Sequence, residues 1–469
     1  MTPTPFDLVI LGSGSGNSLV TPHFADKRVA VVEEGTFGGT CLNVGCIPTK
    51  MLVYAAEVAT AIRESCAFGI DARIDRVRWS DIRDRVFGRI DPISDAGRDY
   101  RVHGPTTAYL GRARFTGPRE LEITGLPDGG TARISGDQVV VATGGVPWVP
   151  DVVRESGVVF HTSDTVMRID ALPASMVILG GGYIAAEFAH IFSALGVRVH
   201  IVTRGPALVR ELDADISAAF LDLARQSWDV HLGVEVTSLR TLEDAGVHLD
   251  LTDGTSLEAQ LLLVATGRKP NSDDMGLDLA GVECHADGRV IADAHGRTTA
   301  EGVWTLGDVS SPYQLKHVAN HEARVVAHNL SHPDDLWSFE HDAVPAAVFT
   351  HPQLASVGLT EKQAREAGHS VTVKVQAFGD VAYGWAMEDT TSICKLVADR
   401  NTARLLGAHL MGPHASTLIQ PLIQAMSADR PVHDLARSQY WIHPALAEVV
   451  ENALLGLDLP GAYDGPHVD

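Results

Sequence analysis

The chain has 469 residues, 45% of them hydrophobic and 20% charged, which is a globular composition. That length exceeds one hydrophobic core of ordinary size and, at roughly 150 residues per domain, points to about three domains. The formal charge of -22 opposes general attraction to nucleic-acid phosphates or anionic membrane surfaces, and no apolar run is long enough to span a bilayer. With no charged and apolar leader at Met1, the expectation is a cytoplasmic enzyme that binds small molecules and copies of itself, with no nucleic-acid or membrane partner.

Residues 6–11 form a short apolar run leading into Gly12-Ser13-Gly14-Ser15-Gly16-Asn17, and a second run, 29–32, ends at Glu33. This reads as strand, tight turn, helix and strand. The arrangement recurs where the apolar residues 176–179 are followed by Gly180-Gly181-Gly182-Tyr183-Ile184-Ala185 and then by a strand over 197–202. Two dinucleotide folds are the simplest explanation. Residues 139–144 and 261–267 also echo each other, each an apolar strand stopped by Ala-Thr-Gly.

These marks predict a first nucleotide-binding unit over 1–150, a second over 151–271 and a return to the first over 272–337, by way of a strand over 302–306 that ends at Gly307-Asp308. Residues 338–469 read as a separate α+β domain, strand-like at 346–349, 371–375 and 393–397. The fold class is α/β, with two Rossmann-like dinucleotide-binding domains and a C-terminal α+β domain. Residues 461–469 have little to bury and are expected to be disordered.

A glycine-rich turn at a helix N-terminus lets a pyrophosphate approach backbone N–H groups, where the helix dipole favours negative charge. In the first motif Gly12, Gly14 and Gly16 build the turn, and Glu33 stands where a carboxylate accepts hydrogen bonds from an adenosine ribose. Asn17 replaces the regular third glycine, and Pro22 should shorten the helix. The second motif, with Gly180, Gly182 and Ala185, is regular, but its strand runs out at Thr203-Arg204 with no carboxylate. Arg204, joined by Arg210, suits the 2′-phosphate of NADP. The first site is therefore expected to hold FAD and the second NADPH.

Five cysteines do not make a disulfide framework in so long a chain. Cys66, Cys284 and Cys394 are isolated and read as incidental thiols, whereas Cys41 and Cys46 sit close together in Gly38-Gly39-Thr40-Cys41-Leu42-Asn43-Val44-Gly45-Cys46-Ile47-Pro48-Thr49-Lys50. A helix-like run over 51–62 follows, with Pro48 placed to open it. The dipole of that helix and the charge of Lys50 favour a low-pKa thiol at Cys46, and the short loop can close into a reducible disulfide. A zinc half-site is the competing reading, but no second cysteine pair exists, so no metal is expected.

This segment resembles the active-site segment of the pyridine nucleotide–disulfide oxidoreductases, the family of glutathione reductase and lipoamide dehydrogenase. The resemblance extends to the second glycine motif, to residues 265–271, to Gly307-Asp308 and to His443-Pro444. It implies that Cys46 is the charge-transfer thiol and Cys41 the interchange thiol. It further implies a Lys50–Glu187 ion pair beside the flavin, Tyr183 as a gate over the nicotinamide pocket, and Asp308 on the ribityl chain. Gly39, Thr40, Thr143 and Gly144 fall among the positions that touch FAD, and Ile184 and Gly267 among those that touch NADPH.

Reducing a disulfide needs a proton for the departing thiolate, a task for a histidine. Among 21 histidines, His443 has a carboxylate, Glu448, five residues on. By the resemblance this pair comes from the partner subunit, so the C-terminal domain is a dimerisation domain and the active site of the homodimer is shared across its interface. Ala445 departs from the threonine common at that position.

Arg204 disfavours an NAD-linked lipoamide dehydrogenase, and the tail 453–469 has none of the redox cysteines that mercuric and larger thioredoxin reductases carry. Thr21-Pro22-His23-Phe24 has no arginine of the kind with which glutathione reductase grips its anionic substrate. Phrases at 14–18, 74–79, 86–93, 161–169, 316–324, 380–389 and 439–446 resemble a branch of the family that reduces mycothione, the disulfide of a cysteine-bearing sugar–inositol thiol. The expected function is NADPH-dependent reduction of this small disulfide through FAD and the Cys41–Cys46 pair. Lipoamide dehydrogenase and a flavin-bearing redox sensor are the alternatives.

Overall fold

The computed structural model describes residues 2–243 and 245–460, so the disorder expected over 461–469 lies outside the described residues. Strand Thr4–Leu11 lies within a seven-stranded sheet, with Val29–Glu33 and then Thr107–Leu110 on one side and Ala132–Val141 on the other, all parallel. Residues 8–11 are buried, as a strand covered on both faces requires. The strand Val303–Thr305 adds to the outer side of Ala132–Val141, far from its neighbours in sequence, and a hairpin of Arg112–Gly117 and Glu120–Thr124 extends the sheet.

A second parallel sheet runs in the order Asp229–Leu232, Arg198–Thr203, Ser175–Leu179, Leu261–Val264, His161–Thr162. In both sheets the strand before the glycine motif has its successor on one side and the Ala-Thr-Gly strand on the other. That reversal opens a crevice at the carboxyl ends, where a dinucleotide binds.

The two motifs lead into different elements. The second feeds the α-helix Tyr183–Ala194, whereas the first feeds only two short 3-10 segments, Ser15–Leu19 and Pro22–Phe24. The α-helix expected there does not form. Pro22 has no N–H to continue one, and it holds Thr21 extended at φ -88, ψ 170.

The C-terminal unit is a five-stranded antiparallel sheet in the order Pro345–Val348, Gln353–Gly358, Arg404–Gly412, Ile393–Asp399, Val371–Ala377. Two of these strands, Gln353–Gly358 and Arg404–Gly412, fall outside the predicted stretches. One hydrophobic cluster joins Leu52, Phe188, Phe192, Val348 and Met411, so helices Cys46–Glu64 and Tyr183–Ala194 pack together against this sheet. Buried Lys395 adds a polar tie, with Asp213 at 2.8 Å, Asp215 at 2.7 Å and Glu361 at 2.8 Å. No helix among the described residues is long and apolar enough to cross a membrane.

Candidate active site

The first glycine of each motif is forced by the same contact. Gly12 has φ +104 and a Cβ there would lie 2.4 Å from the carbonyl oxygen of Ala142; Gly180 has φ +131 and its Cβ would lie 2.1 Å from that of Ala265. The two Ala-Thr-Gly echoes therefore back the two motifs. Gly16 also lacks room, since its Cβ would meet Ala142 Cβ at 2.8 Å, whereas Gly182 faces open space. Beyond the echoes, Gly145–Pro147 pairs with Arg268–Pro270, and Thr143 Oγ1 donates to the Asn271 carbonyl at 2.8 Å. Gly144 and Gly267, at φ +70 and φ +137, turn the chain into this ladder.

Glu33 closes its strand with both oxygens engaged. Oε2 accepts from Ser13 N at 2.8 Å and Ser13 Oγ at 2.6 Å, and Oε1 accepts from Gly35 N at 2.8 Å. At the second motif Arg204 and Arg210 follow Arg198–Thr203 and are both exposed, Arg204 lying 4.0 Å from Glu235 and Arg210 3.0 Å from Glu211.

Cys41 lies in the short helix Gly39–Asn43 and Cys46 is the first residue of helix Cys46–Glu64, so Pro48 falls inside that helix and does not open it. Gly45 makes the approach possible: a Cβ there would stand 2.9 Å from the Thr40 carbonyl and 3.3 Å from Cys41 Cα. Asn43 fixes the loop from beneath, its Nδ2 donating to the carbonyls of Phe37 at 2.9 Å and Gly39 at 3.1 Å.

Both cysteines are thiols in this structure and hydrogen-bond to each other. The bond from Cys46, opposed by burial and helped by the charge of Lys316, brings Cys41 down to about 7. Cys46 moves up, first through that hydrogen bond and then through burial and the Cys41 charge. The low-pKa thiol is therefore Cys41 and not, as expected, Cys46. The two thiols titrate as a pair, and the hydrogen bond between them together with the Lys316 charge favours the first negative charge at Cys41.

The expected Lys50–Glu187 ion pair is also corrected. Lys50 Nζ is 3.7 Å from Glu57, two turns along its own helix, and stands over the Phe349 ring at 4.1 Å. Glu187 instead accepts from Phe349 N at 2.9 Å, and burial pushes its pKa up to about 7, against a weaker pull downward from that hydrogen bond and from the more distant Lys50 charge. Tyr183, the first residue of its helix, is near enough to Cys46, Asp308 and Glu187 for their charges to act on it, and burial carries its pKa to about 12. Burial raises Asp308 as well.

A cleft of about 1690 Å³ joins these groups, running from Glu33 and Gly14 past Cys41 and Cys46 to Gly182 and Arg204. That exceeds an ordinary small-ligand pocket and suits two dinucleotides end to end. His443 and Glu448 do not line it. They meet each other, His443 Nδ1 donating to Glu448 Oε1 at 2.8 Å while Glu448 Oε2 accepts from Ala445 N at 3.1 Å, and the imidazole is 71% exposed. The hydrogen bond from His443 lowers the Glu448 pKa.

The family model for pyridine nucleotide-disulphide oxidoreductases matches residues 6–323, and the model for their dimerisation domain matches 344–454. The chain belongs to this family. Pyridine nucleotide-disulphide oxidoreductases use FAD and a nicotinamide cofactor, and their dimerisation domain makes the working unit a homodimer.

The chain is 56% identical to mycothione reductase of Mycobacterium tuberculosis, over 96% of this chain and 99% of that one. It is 33% identical to a dihydrolipoyl dehydrogenase of Corynebacterium glutamicum, over 96% and 98%. Among solved structures it superposes on the HOCl-induced flavoprotein disulfide reductase RclA of Escherichia coli with TM-score 0.83, at 28% identity, covering 96% of this chain and 99% of that one.

Several residues in or behind the cleft of this disulphide oxidoreductase were not among those expected from the sequence. Lys316 Nζ donates to Ser15 Oγ at 2.8 Å and acts on both Cys41 and Asp308. Arg268 is buried beside Asp164 at 3.5 Å, and buried Glu322 accepts from Gly307 N at 2.6 Å, fixing the turn that carries Asp308. Arg268 could have been found, because it directly follows the second Ala-Thr-Gly; Lys316 had no local signal.

Proposed function

We propose that this chain is a cytoplasmic, NADPH-dependent reductase of mycothione. The observation that carries this reading is the Cys41–Cys46 pair, held within bonding reach in a cleft that also contains both dinucleotide motifs. The 56% identity to a mycothione reductase supports the substrate, and the lower identity to dihydrolipoyl dehydrogenases makes that alternative weaker.

FAD fits the first motif because Gly12 and Gly16 let the turn pack tightly on the Ala142 strand and Glu33, tied to Ser13 of that turn, ends the next strand, where its carboxylate would accept from a ribose. Gly14, Gly39, Thr40, Thr143, Gly144 and Asp308 would complete its site. Gly180, Gly182, Tyr183, Ile184 and Gly267 would receive the nicotinamide dinucleotide, with Arg204 and Arg210 on its 2′-phosphate. When bound, FAD supplies two-electron transfer from NADPH to the Cys41–Cys46 disulfide.

Cys41, the thiolate of the reduced pair, attacks one sulfur of the substrate disulfide. A mixed disulfide forms and one thiolate leaves, taking its proton from the partner subunit's His443. That imidazole then accepts the Cys46 proton, and Cys46 attacks the Cys41 sulfur. The second substrate thiolate departs and is protonated in turn, the enzyme disulfide is closed, and two electrons have passed to the substrate. Glu448 orients the imidazole through Nδ1, leaving Nε2 to move protons.

Counting thiols after anaerobic addition of NADPH tests this scheme. Two thiols should appear per chain and vanish again when mycothione is added; thiols that persist in the presence of mycothione contradict it.

A further inference from the structure

Arg101 stands in the last turn of helix Trp79–His103, far from the first glycine motif in sequence, and its side chain is buried. Its Nε donates to Asn17 Oδ1 at 2.8 Å and its Nη2 to the Asn17 carbonyl at 3.0 Å. Asn17 N in turn donates to the Gly14 carbonyl at 3.3 Å, closing the turn that begins the first 3-10 segment. Among the described residues no carboxylate lies within ion-pair distance of the guanidinium; beside it stands the neutral ring of Tyr100, 5.4 Å away at its centroid. A guanidinium stays charged in a protein, so a full positive charge is buried behind this turn. The carbonyl end of its own helix helps to keep it there.

This charge stands where the fold lacks another. A full α-helix presents about half a positive charge at its N-terminus, and helix Tyr183–Ala194 provides that for the second motif. The first motif has only the five-residue segment Ser15–Leu19. Its residue Asn17, where a regular motif has glycine, is the one that Arg101 holds by both side chain and backbone. Lys316 reaches Ser15 of the same turn through a separate hydrogen bond.

We propose that Arg101 is a positioning residue for FAD: it braces the 12–17 turn and supplies, from behind, the positive potential that a truncated helix cannot. The inference rests on the reading that the first motif takes FAD. It also accounts for the departure at position 17, because glycine there would offer Arg101 no side-chain acceptor.

The test is the rate of FAD release from the full-length holoenzyme, read as recovery of free-flavin fluorescence on dilution, for wild type, R101K and R101M. Loss of a charge-assisted bond should speed release from R101M by about ten- to hundredfold, whereas R101K, which keeps the charge but not the two-pronged hold on Asn17, should fall between wild type and R101M. The KM for NADPH should be the same in all three. Should R101M fail to fold, R101Q, which keeps a donor but no charge, takes its place with the same expected loss. Equal release from R101K and the neutral variant, or wild-type release from the neutral variant, overturns the proposal. A wild-type protein that purifies without FAD overturns instead the assignment of the first motif.

Discussion

His443 Nδ1 lies 2.8 Å from Glu448 Oε1, yet the pair is outside the cleft that holds Cys41 and Cys46 and the imidazole is exposed. On the mechanism proposed above, this proton carrier serves the thiol pair of the partner subunit. Two inactive variants, C41S and H443Q, should therefore complement: co-expressed, they form mixed dimers in which one site has both an intact Cys41 and an intact His443. Recovered mycothione turnover is the expected result, and mixed dimers as inactive as either parent would place the proton donor elsewhere.

Glu448 holds the ring through a charge-assisted hydrogen bond. E448Q keeps the size but loses the charge, so kcat should fall by about ten- to hundredfold while flavin content stays unchanged. Stopped-flow reduction by NADPH should proceed at the wild-type rate, which separates this defect from one at the cofactor sites.

The reactive thiol of the reduced pair should be Cys41 with a pKa of about 7. The thiolate is the nucleophile, so alkylation of the reduced enzyme by iodoacetamide should be slow below that pH and level off above it. Peptide mapping should find the label on Cys41. A label on Cys46 would return the charge to the helix N-terminus.

Glu187 carries a pH prediction for stability. Its pKa rises from 4.5 to about 7 on folding, so between those values the folded state binds more protons than the unfolded state. Its contribution is most favourable below pH 4.5 and is lost as pH climbs through 7. E187Q, which still accepts from Phe349 N, should gain stability relative to wild type as pH rises from 5.5 to 8.5, by a few kcal/mol at about 1.4 kcal/mol per unit. Melting curves across that range check it; a gap that shrinks with pH would refute the burial argument.

Specificity for NADPH is assigned to Arg204 and Arg210. R204E should lose about ten- to hundredfold in kcat/KM for NADPH with little change for NADH, the size expected for one charge-assisted contact. Unchanged use of NADPH would move the 2′-phosphate site.

What the sequence made legible was whatever repeats or sits at fixed spacing. The two glycine motifs, the two Ala-Thr-Gly echoes and the close cysteines are local patterns, and Gly12 against Ala142 has the same physical origin as Gly180 against Ala265. Pro22 announced a shortened helix, though not that the helix would shrink to 3-10 turns. The roles of Arg101, Lys316 and Glu322 could not be read from the sequence, because each acts on a turn outside its own local pattern. The thiol order was misread for a related reason. Helix position and Lys50 argued for Cys46, but the hydrogen bond between the thiols and the charge of Lys316 both depend on tertiary placement.

The most direct test of mycothione reduction is NADPH oxidation by the purified homodimer with mycothione, glutathione disulfide and lipoamide offered in parallel. Rapid turnover of mycothione alone is the predicted result. Turnover of another disulfide instead would leave the thiol mechanism standing and remove mycothione as the substrate, and turnover of none would contradict a reductase.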